Sequence, residues 1–168
     1  KRLIELDQNN MVYYQKIASA YWELGDYQKA QFYYNTILDY DEFQTGELYY
    51  YLGFIANQNK NYALALDYFY YAKECGYNSL NLYNQISISL LQQSNYSDLI
   101  PILHEGLYYH PNHYDLLFNL AFSYFHIELY QESIDIFKKY IIKNNNDLTA
   151  SYLLGVAFYK VKKYKSSI

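Results

Sequence analysis

The residue types that carry out chemistry in proteins are sparse in this sequence. His110 and His113 flank Pro111 in an H-x-x-H arrangement, which offers two imidazoles to a metal ion. These histidines are expected in a turn between repeats, which does not orient two imidazole rings as a helix would. No cysteine or carboxylate pair adjoins them, so we interpret both as ordinary surface histidines. Cys75 is the single cysteine and has no partner within the chain.

The other residues of this kind form no catalytic pattern either. His104 and His126 are isolated on segments with helical periodicity, where packing is the commoner role of a histidine. The sequence has neither a glycine-rich phosphate loop nor a G-x-S-x-G nucleophile motif. We therefore predict no catalytic residue, no metal site and no cofactor, and a protein that is not an enzyme.

Composition narrows the class of protein further. The chain has 168 residues, enough for one domain with a buried core, and 26 of them are tyrosine. Lysine and arginine total 13 against 17 acidic residues, and the net charge of −4 argues against binding to nucleic acid, which requires cations to neutralise phosphates. No apolar run approaches the roughly 20 residues that span a bilayer. Neither nucleic acid nor a membrane is therefore expected as a partner.

The strongest pattern in the sequence is an internal repeat of about 34 residues. Tyrosine recurs at spacings of 35, 34, 34 and 34 residues, and a small residue lies nine positions before each of these tyrosines. The tyrosines are Tyr27, Tyr62, Tyr96, Tyr130 and Tyr164. The small residues are Ala18, Gly53, Ser87, Ala121 and Gly155. Columns that keep one register along the whole chain indicate a repeat architecture.

Each repeat carries two segments with helical spacing. Tyr14, Ile17, Ala18 and Tyr21 follow the i, i+3, i+4, i+7 spacing of one helical face. A second set with the same periodicity follows in each repeat and begins with Ala30, Tyr34 and Ile37. Polar breakers separate the two segments, with Gly25 suited to end the first helix and Asp26, Asn61 and Asn95 suited to cap the second. The repeats are therefore predicted to be helix–turn–helix pairs.

These columns resemble the tetratricopeptide repeat family, whose unit is a 34-residue helix pair with the pattern W-x2-L-G-x2-Y…A-x3-F…P. The resemblance is clearest over residues 46–77, which carry Leu52 and Gly53 in the first helix and Ala65 and Phe69 in the second. It implies an all-α fold, a solenoid of antiparallel helix pairs that form a right-handed superhelix.

We interpret residues 1–168 as one array of such repeats. Four full repeats are expected at residues 11–45, 46–79, 80–113 and 114–147. Residues 1–10 resemble the end of a preceding repeat. Residues 148–168 resemble the first helix and the start of the second helix of a fifth repeat, with a turn at Lys162 and Lys163. On this interpretation the chain is a fragment of a longer tetratricopeptide repeat protein.

Three local features depart from or refine the repeat. The 35-residue spacing between the first two units predicts one inserted residue in the loop at residues 40–46. Pro101 lies inside a predicted second helix, which should either start late, near Asp98, or bend at its first turn. Gly53 and Gly155 are expected to let paired helices approach closely.

The resemblance implies a concave groove, lined by the first helices, that holds a peptide or partner segment. Because the core columns are complete without them, the large apolar side chains left over indicate an interaction surface, with Phe118 and Phe122 outside the core. The alternative is that these rings cover one another. The expected partner is a protein or peptide segment with apolar anchors. The groove residues are predicted to be Trp22, Tyr50, Phe54, Asn57, Asn84, Ile88, Phe118, Asn119, Phe122, Phe125, Tyr152 and Tyr159.

Other roles stay open at this stage. Residues 138–168 carry seven lysines and one acidic residue, whereas residues 1–137 carry six cations and sixteen acidic residues. This asymmetry favours head-to-tail association, attraction of an acidic partner to the C-terminal end, or simple solvation of a lysine-rich turn. Alternative functions are a structural spacer and a homo-oligomer assembled through exposed terminal helix faces. The chain would also fit the non-catalytic arm of a larger enzyme that recruits substrate.

Overall fold

A computed structural model describes residues 10–40 and 43–165, with side chains as far as Lys162. The described residues form α-helices and short turns and contain no β-strand. They fall into two compact units, the first ending at Tyr77 and the second beginning at Asn78. The first unit contains α1 (Met11–Glu23), α2 (Tyr27–Leu38), α3 (Gly46–Gln58) and α4 (Tyr62–Glu74). The second contains α5 (Leu80–Gln92), α6 (Tyr96–Tyr109), α7 (Tyr114–His126), α8 (Tyr130–Lys143) and α9 (Leu148–Lys165).

The chain reverses in the same way within each helix pair. One residue in the left-handed region follows the first helix, and the next residue begins the second helix as its N-cap. The left-handed residues are Gly25 (φ 73°), Lys60 (59°), Ser94 (53°) and Glu128 (64°). The predicted caps are confirmed, because the side chains of Asp26, Asn61 and Asn95 each accept a hydrogen bond from the backbone N–H three residues ahead.

Most residues of the predicted core columns are buried in both units, although Tyr14, Ile17 and Tyr21 of α1 are only half-buried. In the first unit, Tyr34 and Ile37 of α2 pack with Ala18 of α1 and Leu52 of α3. In the second unit the columns are buried at Ile86, Ser87, Leu90, Leu99, Leu103, Leu120, Ala121, Ser133, Phe137 and Tyr140. The helical periodicity of the sequence therefore identified the faces on which the helices meet. The architecture is an all-α repeat of the solenoid class, as predicted.

The small-residue column permits the close approach of paired helices. A β-carbon built on Gly53 would lie 2.4 Å from the Phe69 ring, so only glycine fits at this point. In the fourth pair the hydroxyl of Ser133 donates a hydrogen bond to the Ala121 carbonyl at 2.9 Å, across the same contact. Gly106 has a similar role that the sequence did not reveal, since a β-carbon there would lie 3.0 Å from the Tyr83 ring.

One expectation about the last helix is wrong. The backbone is helical from Leu148 to Lys165, so no turn lies at Lys162 and Lys163. Lysine is a good helix former. Gly155 has no described atom within 4 Å of its would-be β-carbon, so its close approach to a paired helix stays a prediction. The buried small residues of α9 are Ala150 and Ala157.

The two other irregularities are resolved in part. Helix α6 begins at Tyr96 behind the Asn95 cap, so the late start near Asp98 is wrong, and Pro101 lies within the helix. A bend at Pro101 stays a prediction. The connection between α2 and α3, residues 39–45, is longer than those at residues 75–79, 110–113 and 144–147, as the 35-residue spacing predicts. The expected helix end at residues 1–10 lies almost entirely outside the described residues.

The two glycines that the sequence treats as equivalent should respond oppositely to alanine. Gly53→Ala should lower the free energy of unfolding by about 1–3 kcal/mol, because the added methyl group overlaps the Phe69 ring. Gly155→Ala should raise it by about 0.5–1 kcal/mol, since alanine favours the helix and meets open space. Urea unfolding followed by circular dichroism measures both changes. Equal effects would contradict this difference in packing.

Candidate partner-binding site

An open pocket among the described residues lies within the second unit. It has a volume of about 570 Å³ and is bordered by α5, α7, the end of α8 and the start of α9. Helices α5, α7 and α9 are the first helices of successive pairs, the elements predicted to form a groove. The lining residues are Asn84, Ile88, Leu91, Asp115, Phe118, Asn119, Tyr140, Asp147 and Thr149.

One wall of the pocket is aromatic and belongs partly to the core. Phe118 lies edge-on to Phe137 and Tyr140, with ring centroids 5.8 Å and 5.5 Å away. Phe118 therefore packs against the core cluster that contains Ala121 and Ala150. Phe118 is thus only partly buried and lies at the margin of the core, where its ring packs against the cluster and also lines the pocket.

A polar network fixes the edge of the pocket next to Tyr140. The Tyr140 hydroxyl donates a hydrogen bond to Asp147 Oδ2 at 2.8 Å, and the backbone N–H of Ala150 donates to Asp147 Oδ1 at 2.9 Å. The second bond is the N-cap of α9. Asp147 therefore joins the end of α8 to the start of α9 and holds the loop between them in place.

The edge next to Tyr140 is negatively charged. Hydrogen bonds from the Ala150 backbone and the Tyr140 hydroxyl hold the pKa of Asp147 below its ordinary value. Burial, the hydrogen bond to Asp147 and the nearby Asp115 charge raise the pKa of Tyr140 to about 12. The phenol is thus neutral and the Asp147 carboxylate ionised at neutral pH. None of the described residues that line the pocket is lysine or arginine.

Asn84 contributes a polar atom that is buried but unsatisfied. Its Oδ1 is inaccessible to solvent and has no hydrogen-bond partner among the described residues. A buried acceptor without a donor costs about 1–3 kcal/mol, so proteins retain few of them. Asn84 lines the pocket together with Asn119 of α7.

The predicted groove residues divide into several groups in the second unit. Asn84, Ile88, Phe118 and Asn119 line the pocket together. Phe122 does not line it and instead packs against His126 and Tyr96, with centroids 4.3 Å and 6.0 Å away. Phe125 packs edge-on against Tyr130, 5.6 Å away. Tyr152 and Tyr159 are exposed on α9, outside the pocket.

In the first unit many of the corresponding side chains are buried or pack against one another. Tyr50 and Asn57 are buried, so neither lines an open groove. Trp22 lies 4.8 Å from Phe54 and 4.5 Å from Tyr51, measured between ring centroids. A small space of about 20 Å³ lies next to Tyr34 and Glu47, and an open pocket of about 440 Å³ lies along α1, lined by Val12, Gln15, Lys16, Ser19, Ala20 and Glu23. The predicted groove in the first unit stays a prediction, and the aromatic rings of Trp22, Tyr51 and Phe54 there cover one another.

Sequence reasoning missed several of the residues that line the pocket. Tyr140 belongs to α8, and Asp147 lies in the loop that follows it. One signal for Asp147 was present, since an aspartate just before an apolar helical segment is a common N-cap. Asp115 and Thr149 lie in the first turns of α7 and α9, ahead of the columns used for the prediction.

The histidines have structural contacts where they are described. His110 Nε2 lies 2.9 Å from the Asn78 carbonyl oxygen, and His104 Nε2 lies 2.8 Å from the Tyr124 hydroxyl. His113 Nδ1 is buried without a partner among the described residues. The part of the chain that the structure describes contains no group of three or more His, Cys, Asp or Glu able to hold a metal ion. None of its helices combines the length and apolar character needed to cross a membrane.

Comparison with known proteins gives a family match over part of the chain. Residues 16–79 match the model of the tetratricopeptide repeat. No curated protein sequence matches the chain. The family match and the repeated helix pairs described above support a protein of the tetratricopeptide repeat family.

Solved structures share the fold at low sequence identity. YrrB, described as a TPR protein with an unusual peptide-binding site, superposes with a TM-score of 0.84 at 18% identity, over 96% of this chain and 82% of YrrB. MamA from AMB-1 gives 0.80 at 15% identity, over 96% of this chain and 88% of MamA. MamA from Desulfovibrio magneticus RS-1 gives 0.76 at 16%, over 94% and 89%. These similarities establish the fold.

Replacement of Asn84 should stabilise the free chain. Asn84→Leu removes the unsatisfied acceptor and should raise the free energy of unfolding by about 1 kcal/mol. Gln92→Leu is the control, because Gln92 is exposed on the same helix and should give little change. Urea unfolding measures both. A lower stability of Asn84→Leu would mean that the amide makes a stabilising hydrogen bond in the free chain.

The stacked histidine gives the second unit a dependence on pH. Burial lowers the pKa of His126, which stacks on Tyr96 with centroids 4.4 Å apart. Because the unfolded chain then binds a proton at a higher pH than the folded chain, stability should fall as the pH drops from about 7.5 to about 5.5. His126→Gln should remove this component, as measured by melting temperature against pH. An NMR titration that placed the pKa of His126 above its ordinary value would reverse the expected sign.

Proposed function

We propose that the chain is a protein–protein interaction module that holds a partner segment in the pocket of the second unit. The observation that carries this proposal is the open space of about 570 Å³ between first helices of successive pairs. A volume of several hundred cubic ångströms is typical of ligand sites and accommodates a few side chains of a peptide. The role would be that of an adaptor or scaffold rather than of a catalyst.

The pocket offers apolar contact area to an anchor on the partner. Ile88 is 43% exposed and lines the pocket together with Phe118. Burial of one Leu-sized side chain contributes about 1.5–3 kcal/mol, and a partner anchor would gain this by displacing water from these walls. An apolar anchor of the partner is therefore expected to contact Ile88, Leu91 and Phe118.

The polar lining would orient the partner. Asn84 Oδ1 has no hydrogen-bond donor among the described residues, and Asn119 carries a second amide on the same lining. Backbone N–H groups of an extended or helical segment are suitable donors. The similarity to YrrB supports this proposal, because that protein is described as having a peptide-binding site on the same fold.

A second candidate function is self-assembly through α9. Tyr152 is 70% exposed and Tyr159 is 66% exposed, an unusual exposure for large aromatic side chains. Sedimentation velocity of the chain over a concentration series tests this role. Concentration-dependent association that is lost in a Tyr152→Ser/Tyr159→Ser variant would support it. A pocket-based adaptor would instead sediment as a monomer.

Replacement of a single exposed pocket residue tests the interaction module. The probe is a library of random dodecapeptides displayed on phage and selected against the full chain. Ile88→Ser removes the apolar wall without adding charge, and isoleucine and serine have similar helix propensities. The selected peptides should bind Ile88→Ser about tenfold more weakly than the unaltered chain, as measured by fluorescence anisotropy.

The matched control is Ile142→Ser. Ile142 is 80% exposed on α8 and does not line the pocket, so the same substitution there should leave the peptide affinity unchanged. Circular dichroism checks that both variants keep their helices. Peptides that bind Ile88→Ser as tightly as the unaltered chain, or a selection that enriches no peptide, would overturn the proposed function.

A further inference from the structure

Two carboxylates give the pocket a chemical preference that the apolar walls lack. Asp147 stays ionised at neutral pH, because its hydrogen bonds favour the charged form. A carboxylate has about four lone-pair positions, and the bonds from Tyr140 and Ala150 occupy one on each oxygen. Asp147 can therefore accept further hydrogen bonds from a group that enters the pocket.

Asp115 lies near the same point of the pocket. Its charge and that of Asp147 both act on the Tyr140 hydroxyl, so the two carboxylates lie around one side chain. Within the described residues, no hydrogen bond or ion pair engages the Asp115 carboxylate. Asp115 is exposed in the first turn of α7, where the helix dipole favours a negative charge.

The negative charge at this edge has no positive counterpart among the described residues that line the pocket. The lining holds two carboxylates and no lysine or arginine among the described residues. The apolar walls at Ile88, Leu91 and Phe118 adjoin the same space. Too few ligands converge there to hold a metal ion among the described residues. The pocket thus combines an apolar surface with an anionic one.

We infer that the partner segment carries a lysine or arginine next to its apolar anchor, with the cationic group at Asp115 and Asp147 and the anchor against Ile88 and Phe118. This inference rests on the proposed function, since it specifies the partner for the same pocket. Charge complementarity favours such a segment, because a neutral anchor would leave both carboxylates partly desolvated and without a counter-charge. A neighbouring acidic residue on the partner would be repelled.

The test combines one substitution in the chain with one in the peptide. Peptides selected without bias against the full chain are expected to be enriched in lysine or arginine beside an aliphatic or aromatic residue. Exchange of that lysine for norleucine keeps the aliphatic stem and removes the charge. This exchange should weaken binding to the unaltered chain about fivefold and binding to Asp115→Asn hardly at all. Isothermal titration calorimetry at low and high salt measures each affinity.

The control for the chain is Asp135→Asn. Asp135 is exposed on α8 outside the pocket, so its replacement changes the net charge equally but should preserve the fivefold effect of the lysine. Equal losses for Asp115→Asn and Asp135→Asn would overturn the inference, because net charge alone would then explain them. Self-association that disappears in Asp115→Asn would also overturn it, since the cation would come from a second copy.

The two proposals fail in different ways. Peptides that lack an excess of lysine and arginine, yet lose affinity for Ile88→Ser, would overturn the charge preference and leave the interaction module in place. Peptides whose affinity is unaffected by Ile88→Ser would overturn the proposed function itself. Lysine-dependent binding that is sensitive to both Ile88→Ser and Asp115→Asn supports both.

Discussion

The close approach of the two helices in each pair is the constraint on which the rest of the structure depends. The Phe69 ring occupies the space where any side chain at Gly53 would begin, and the Ser133 hydroxyl reaches the backbone carbonyl of Ala121. Small residues recur at this position at spacings of 34 or 35 residues, so the pairs close in the same way. Once that contact is made, the remaining residues of each first helix face away from their partner helix, and their sizes decide whether a surface is filled or open.

The two units differ in how the side chains of the first helices fill this surface. In the first unit, Trp22, Tyr51 and Phe54 lie close enough to pack on one another, which removes large areas of ring surface from water. In the second unit, Ile88 and Asn119 occupy the lining of the pocket and are too short to fill it. The space in the pocket therefore depends on the volumes of the side chains at these positions.

The network around Tyr140 makes one edge of the pocket rigid. Asp147 caps α9 and accepts the Tyr140 hydroxyl, so the loop between α8 and α9 is held from both sides. A carboxylate fixed in this way loses little conformational freedom when it binds a partner, which lowers the entropic cost of association. The same bonds keep the charge in place, because they favour the ionised form.

The sequence by itself determined the all-α repeat, the buried columns and three of the helix caps, because helical periodicity and turn chemistry are local properties that recur in every repeat. It also placed Asn84, Ile88, Phe118 and Asn119 on the lining of one pocket. Only the tertiary structure decided that Tyr50 and Asn57 are buried, that Gly155 meets open space, and that Tyr140 and Asp147 complete the pocket. Those outcomes depend on the volumes and positions of side chains distant in sequence, which a column of one repeat does not contain.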